Sequence, residues 1–496
     1  MKLATKLFRV EAGGTYIVLL NEEIAKDLDV HPGDRIRLMA EGRYVIAVIN
    51  ISSSVEKNEI GAYSEVSETL NLDEGQLVTI FPEEQPSSVE SIRKKLDGKK
   101  LTKEEVYDII SDIVDNALTQ AEIAYFVSSG YTKNFSIEEI AWLTQAMAET
   151  GDVLKWDKKP VMDKHCIGGI AGNRTSMIVL PIVTAAGLLM PKTSSRSITS
   201  PSGTADTMEV LAKVNFKTLQ DIKRIVEKTN GCEVWGGSFN LAPADDLIIR
   251  VEHTIDIDPT PMLLSSIMAK KYVAGSSHVL IDIPVGKFSK VKTVKEYNNL
   301  SSKFIQLGKK LGMVVKVINT AADQPIGNGL GPALEAKDVL WTLANHKNAP
   351  QDLREKGLYL AGIMLEMGGK AKKGQGKKMA QKILASGKAL EQFKKIIKAQ
   401  GGNPKIKPED IQVGNLVHDV FAQKSGKVTL MNDDVFSKAA RLAGAPTDKK
   451  AGILLRLHLN DKVKKGDVLY TIYAVNERKL GEAVKYVTEF PPVNVH

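Results

Sequence analysis

The sequence predicts an α/β multidomain protein: an N-terminal small β-barrel, a helical lobe, a central α/β lobe with a mixed sheet, and a C-terminal small β-rich α+β module. Three observations carry this expectation. Strand-like runs separated by turn residues fill the first 85 positions, amphipathic capped helices follow, and from about 160 to 340 apolar strands alternate with Gly/Ser turns and helices. The 496 residues are 43% hydrophobic and 25% charged, which suits a globular protein of several domains. No window reaches the roughly 20 apolar residues of a membrane span, and MKLATKLFRVEAGG lacks the apolar core of a signal peptide. Two cysteines, Cys166 and Cys232, are too few for a disulfide framework or a Cys-rich zinc site, and they fit a reducing cytoplasm.

Taken in order, FRVEAGGTYIVLL, RIRLMAEGRYVIAVIN and QLVTIF read as strands. VHPGDRI (30–36) is echoed by LDEGQLV (72–78), each a turn with Gly33 or Gly75 leading into an apolar strand, so the first 85 residues are expected to form a pseudo-symmetric barrel. PEEQPSSVES (82–91) reads as a linker. Thr102 with Glu105, and Ser136 with Glu139, have capping-box spacing; Val106, Ile109, Ile110 and Ile113 make an apolar helix stripe, and Gly151 stands where the second of these helices would end. Beyond 160, MIVLPIVTAAGLLMP, HVLIDIPVG and MVVKVINT belong to the alternating α/β pattern. Residues 350–400 are Lys-rich helices, and GGKAKKGQGKK (368–378) reads as a mobile loop. GKVTLM, GILLRLHL, DVLYTIYA and KYVTEF read as the strands of a final module, with VKKGD (463–467) as a turn.

The net charge of +8 is read first as a lysine-rich solvated surface and second as attraction for anions. Aromatics are only 6% and do not alternate with basic residues, which argues against a stacking platform for single-stranded nucleic acid. The stretch DKHCIGGIAGNRTS sharpens the second reading. Gly168 and Gly169 permit positive φ and close backbone approach, Lys164 supplies a charge, and Thr175 and Ser176 supply hydroxyls at a helix start. A glycine turn needs no ligand, but KTSSRSITSPSGTADTMEV adds Ser194, Ser195, Ser197, Thr199, Ser200, Ser202 and Thr204 around Arg196, with a helix expected from Asp206. Two hydroxyl-rich loops after neighbouring strands converge at one sheet edge, where open α/β sheets bind ligands. Neither loop matches the P-loop or dinucleotide fingerprints.

DKHCIGGIAGNRTS followed by PKTSSRSITSPSGTAD resembles the signature of the thymidine/pyrimidine nucleoside phosphorylases, as do IDPTPMLLSSIMAKKYVAGS, DQPIGNGLGPALE and the basic run from 365 to 402. The resemblance covers the chain from about 90 onward. It implies phosphorolysis, and more narrowly the branch acting on nucleoside 5′-monophosphates, AMP with CMP and UMP beside it, giving free base and ribose 1,5-bisphosphate in nucleotide degradation; phosphorolysis of thymidine is the alternative. By the same resemblance Lys164, Cys166, Ser176, Ser194 and Thr204 hold phosphate. Gly169, Ser195, Arg196, Ser197, Ile198, Thr199, Ser200, Thr204, Ser266, Lys270 and Lys290 hold the nucleotide, and Asp258 donates a proton to the leaving base. Without the resemblance, Asp258 and Asp256 are not separable, and Lys270 and Lys271 read as a solvated helix end. Three departures stand out: Cys166 replaces a serine, Ser200 replaces a histidine, and Val251 stands where the family has a base-reading arginine, with Arg250 next door.

The resemblance further implies a helical lobe of 86–155 joined by 243–275, an α/β lobe of 160–240 and 277–410 closing on it by a hinge, and a module of 411–496. It implies a homo-oligomer built on dimers, acting on nucleotide and phosphate, with no nucleic acid or membrane partner. No His or carboxylate cluster has metal-ligand spacing, so neither metal nor cofactor is expected, phosphate being a co-substrate. The remaining classes are a nucleic-acid-binding protein drawn by the charge and a phosphate-binding relative without activity.

Overall fold

The computed structural model describes residues 1–197, 199–238 and 242–496. The described chain forms two compact units, Met1–Gly151 with Ala242–Ala269, and the remainder.

The first unit opens with six strands: β1 (Lys2–Leu7), β2 (Ile17–Leu20), β3 (Arg35–Ala40), β4 (Arg43–Ile51), β5 (Glu59–Ala62) and β6 (Leu77–Glu83). They close into a barrel in the order β1-β5-β2-β4-β3-β6. The echo seen in the sequence is a structural repeat. In one half β2 leads through α1 (Glu22–Asp27) and the Gly33 turn to β3; in the other β5 leads through α2 (Ser64–Leu70) and the Gly75 turn to β6. Both glycines sit at positive φ with open space around them, so the turn conformation selects them. Val18, Leu20, Ile36, Leu38, Ile49, Ile60, Val78 and Ile80 fill the interior. Residues 8–16, expected to be strand, are irregular instead; their two glycines turn the chain where Glu65 accepts from the Ala12 and Gly14 amides.

Four helices follow: α3 (Ser88–Leu96), α4 (Lys103–Val114), α5 (Gln120–Thr132) and α6 (Ile137–Glu149). The Thr102–Glu105 and Ser136–Glu139 boxes form as the spacing predicts, and Thr119–Glu122 adds a third. Val106, Ile109, Ile110 and Ile113 are all buried.

The second unit begins with β7 (Met162–Cys166), α7 (Ser176–Ala185), β8 (Met190–Ser194), α8 (Thr204–Glu209), α9 (Leu219–Thr229) and β9 (Gly231–Trp235). The chain then passes through α10 (Pro243–Ile255), which packs on α4 and α5 in the first unit, and α11 (Thr260–Val273). It continues with β10 (His278–Val285), α12 (Val294–Lys310), β11 (Val314–Ala321), β12 (Gly329–Leu330), α13 (Pro332–Leu343), α14 (Gln351–Met367), α15 (Gly376–Ala385) and α16 (Lys388–Ala399). Among the described residues the strands from β7 to β11 pair only in parallel, β11-β10-β7 and β8-β9, where a mixed sheet was expected. A parallel bridge from Val161 to Leu189 sets β7 beside β8. Antiparallel pairing enters through β12 alone, which joins the last module. Helix α7 is apolar all round and accordingly buried all round, packing against α14 and α16.

Of the tract 368–378, expected as a mobile loop, residues 368–375 form the turn between α14 and α15 and the last three begin α15. The Glu366 carboxylate accepts from the Gly374 and Gly376 amides, both at 2.9 Å, and a Cβ on Gly376 would lie 2.0 Å from the Gly362 carbonyl oxygen. Gly376 thus serves a close helix crossing, whereas Gly369 and Gly374 take up positive φ in open space.

The last module holds β13 (Leu416–Phe421), β14 (Gly426–Met431), α17 (Asp433–Leu442), β15 (Gly452–Leu455), β16 (Lys462–Val463), β17 (Val468–Ala474), α18 (Glu477–Glu489) and β18 (Val493–Val495). KYVTEF, expected as a strand, lies almost wholly in α18. Asn476 caps that helix and Ala483 and Val487 form its buried side, so helical packing overrides the β-rich composition. Among the described residues no helix is long and apolar enough to cross a membrane.

Candidate active site

The β7–α7 loop is built around Lys164. The strand alternation puts Lys164 and Cys166 on one sheet face, opposite Leu280 and Asp282 of β10. Lys164 is 1% exposed. Its Nζ donates to Thr175 Oγ1 at 2.8 Å, Thr175 donates to Asn173 Oδ1 at 2.9 Å, and Asn173 Nδ2 donates to Cys166 Sγ at 2.8 Å. Burial pulls the Lys164 pKa down, and the Asp282 carboxylate opposes that. Burial also pushes the Cys166 thiol up, which favours the neutral form. Ser176, the first residue of α7, is buried at the positive end of that helix.

Both expected glycines adopt positive φ, for different reasons. A Cβ on Gly168 would meet nothing within 4 Å, so this residue borders open space; a Cβ on Gly169 would lie 2.6 Å from the Lys290 backbone nitrogen. Gly169 and Lys290, two predicted nucleotide contacts, are thus adjacent through backbone, with the Lys290 side chain exposed. The far side of the loop is pinned twice. Both Asp433 carboxylate oxygens accept from the Ala171 amide, at 3.0 and 2.9 Å. Arg174, fully buried, donates to the Gly172 and Gly329 carbonyls at 2.7 and 2.8 Å and pairs with Asp338.

The β8–α8 loop starts at Ser194, which donates to Glu233 on β9. Arg196 is paired within the protein. Its guanidinium pairs with Asp206 at 3.0 Å and Glu209 at 2.7 Å and lies 4.8 Å over the Trp235 ring. Asp206 also accepts from the Ser197 and Gly203 amides, so Arg196 and Asp206 shape the loop rather than leave a free charge in it. Ser195 and Thr199 are exposed, Ser197, Ser200 and Thr204 half-buried; Ile198 lies outside the described residues. Helix α8 starts at Thr204, two residues earlier than expected.

A layer of charge that the sequence did not betray lies on the other face of β7. Asp163 is buried and pairs with Lys271 Nζ at 2.8 Å and with Lys192 Nζ at 3.9 Å. Lys271 is therefore no solvated helix end; burial pulls it down to about 8, with Asp163 opposing. Burial, followed by Lys271, Lys192, Lys270 and Lys164, drives His165 well below its ordinary value, so the imidazole is neutral amid four cations. The available signal was Asp163 and Lys192 each directly following a short apolar run, Val161–Met162 and Leu188–Pro191, where a lysine or aspartate carried into the interior is costly unless paired.

Asp258, Ser266, Arg250 and Val251 belong to the first unit, Lys270 to the second. Asp258 is exposed in the turn between α10 and α11, and Ser266 and Lys270 share α11 with half-buried side chains. Val251 is buried in the core. Arg250 reaches the Gly13 carbonyl, so the arginine adjacent to the missing base reader is engaged with the barrel. Among the described residues no group of His, Cys, Asp and Glu could hold a metal ion.

Three family models match the chain: the glycosyl transferase family helical bundle domain over 89–151, the glycosyl transferase family a/b domain over 158–390, and the pyrimidine nucleoside phosphorylase C-terminal domain over 427–490. Similar curated proteins include the AMP phosphorylase of Thermococcus kodakarensis, 50% identical over 97% of this chain and 95% of that one. That of Pyrococcus furiosus is 48% identical over 100% of this chain and 98% of its own. Among solved structures, anthranilate phosphoribosyltransferase from Thermus thermophilus aligns with a TM-score of 0.54 over 63% of this chain and 99% of that one, at 18% identity, a likeness of fold.

Proposed function

The chain belongs to the AMP phosphorylase family, and on that premise we propose that it is a pentosyltransferase that cleaves AMP with phosphate into adenine and ribose 1,5-bisphosphate. The observation that carries the reading is identity near one half, sustained over practically the whole chain. The β7–α7 loop supports it, because a buried lysine, a helix N-terminus and an open glycine meet there, as an oxyanion ligand requires.

In this reading Lys164, Ser176, Ser194 and Thr204 bind phosphate, with Cys166 in the same loop. The 195–200 segment, Gly169, Thr204, Ser266, Lys270 and Lys290 bind the nucleotide. A phosphate oxygen forms a bond to the ribose C1′ as the C1′–N9 bond breaks. The electron pair of that bond leaves with the base, and Asp258 supplies the proton that makes the base neutral. Fixing phosphate against the sugar removes the entropy of a bimolecular encounter, and the lysines oppose charge repulsion between two phosphates. The reading requires no metal or cofactor. CMP and UMP are proposed as further substrates, since with Val251 buried and Arg250 held by the barrel neither of these two side chains is placed to select a base. A cytoplasmic homo-oligomer in nucleotide degradation completes the proposal.

Release of free base from AMP, CMP, UMP and thymidine, each with and without orthophosphate, tests it. Phosphate-dependent release from AMP exceeding that from thymidine is expected; thymidine as the better substrate, or cleavage indifferent to phosphate, overturns it. Asp258→Asn is expected to bind AMP while losing about 10²–10⁴-fold in kcat, the usual share of a proton donor.

A further inference from the structure

Ser194 does not face its expected ligand alone. Its neighbour across the parallel β8–β9 pair is set by register, Lys192 opposite Glu233 and Ser194 opposite Trp235. Glu233 is fully buried; one carboxyl oxygen accepts from the Ser194 hydroxyl, and the other, Oε2, has no hydrogen-bond partner. The charged groups around it are Lys192 on β8, Asp163 on β7 and Lys271 on α11. Both lysines already pair with Asp163. The backbone of Glu233 is held from another side by Gln400, the residue that follows α16, which accepts from its amide and donates to its carbonyl, both at 2.9 Å, and leaves the carboxyl untouched. Burial first, and then Asp163, push the Glu233 carboxyl up to about 7 against the pull of Lys192 and of the Ser194 hydroxyl.

A serine hydroxyl has one proton to give. While Glu233 is ionised it takes that proton, and Ser194 turns only lone pairs toward the loop, the wrong polarity for an oxyanion. A neutral Glu233 is itself a donor and can bond Ser194 Oγ, which frees the serine proton for a ligand oxygen. We propose that Glu233 is a positioning residue for phosphate: as the neutral acid it orients Ser194 as a donor to phosphate, and phosphate binding draws one proton onto Glu233. This rests on the reading of Ser194 as a phosphate ligand.

The test uses sulfate, a dianion that does not itself titrate near neutrality, binding to the full-length protein by calorimetry between about pH 6 and about pH 8. Wild-type affinity is expected to fall with a limiting slope of about tenfold per pH unit, as for one linked proton, and binding in buffers of different ionisation enthalpy near pH 7.5 should show proton uptake. Glu233→Gln, whose amide donates to Ser194 at every pH, should bind sulfate at the upper pH more tightly than wild type and with at most half the wild-type slope. Equal slopes in the two proteins overturn the proposal, and so does the absence of proton uptake by wild type, which needs no variant to fold. Ser194→Ala separates this proposal from its premise: it should weaken sulfate and remove the pH slope. If Ser194→Ala leaves sulfate affinity unchanged, it is the reading of Ser194 that fails.

Discussion

Cys166 occupies a position where a hydroxyl would serve an oxyanion better. Its sulfur accepts from Asn173, and burial keeps the thiol neutral. A neutral thiol is a weak donor, so in the proposed reading Cys166 gives phosphate a weak contact. Cys166→Ser is therefore expected to lower the phosphate KM by a factor of about 5, the worth of one ordinary hydrogen bond near 1 kcal/mol, with kcat retained. Loss of turnover in Cys166→Ser would instead assign the thiol a direct chemical part. Local geometry of this kind was legible because it is set within a few positions: the Gly168–Gly169 turn beside Lys164 and the helix start at Ser176 form as the sequence suggests. Glu233, Lys271 and Asp163 were not, because each acquires its meaning from a strand or helix distant in sequence. Arg196 shows the converse, a charge well placed in the sequence and committed by Asp206 and Glu209 once the chain folds.

At the level of elements, the loop between β7 and α7 depends on a clip formed by Arg174. That guanidinium satisfies two carbonyls and Asp338, and lies 4.0 Å from Glu335. Burial pushes the Glu335 carboxyl up to about 7, while the Arg174 charge opposes it. Arg174→Met would leave a buried carboxylate without its cation and two carbonyls without a donor. A loss of about 3–5 kcal/mol is expected for breaking one side of such a pair, read as a lowered denaturation midpoint. A raised phosphate KM should accompany it, since the same clip shapes the loop that carries Lys164. Elements whose signals are short in range were read correctly from sequence, as the Thr102 and Ser136 boxes show. Where composition and packing disagree the reading went astray: KYVTEF is rich in strand formers, yet a cap at Asn476 and a buried side of Ala483 and Val487 make it helix. Strand β1, with two lysines in six residues, gives little apolar pattern and is defined by its partners β5 and β6.

For the chain as a whole, the last module is not an appendage of the α/β lobe. Strand β12 comes from before α13, yet it pairs with β15, and Asp433 at the start of α17 holds the Ala171 amide of the β7–α7 loop. Ala171 and Leu330 share one apolar cluster with Phe436, Ile453 and Ile472. A chain ending at about residue 410 would expose that cluster and release the loop. Such a protein is expected to be poorly soluble, and any soluble fraction to need a higher phosphate concentration for half-maximal rate. Normal phosphate saturation by a soluble truncated chain would show the module to be dispensable to the loop.

The N-terminal barrel carries a consequence for how copies of the chain can meet. Every one of its strands already has a hydrogen-bonded neighbour on both sides, so among the described residues the barrel has no edge strand on which a strand from another molecule could grow. Self-association through this part of the protein must rely on side-chain complementarity, and the runaway sheet extension that leads to fibres has no starting point there.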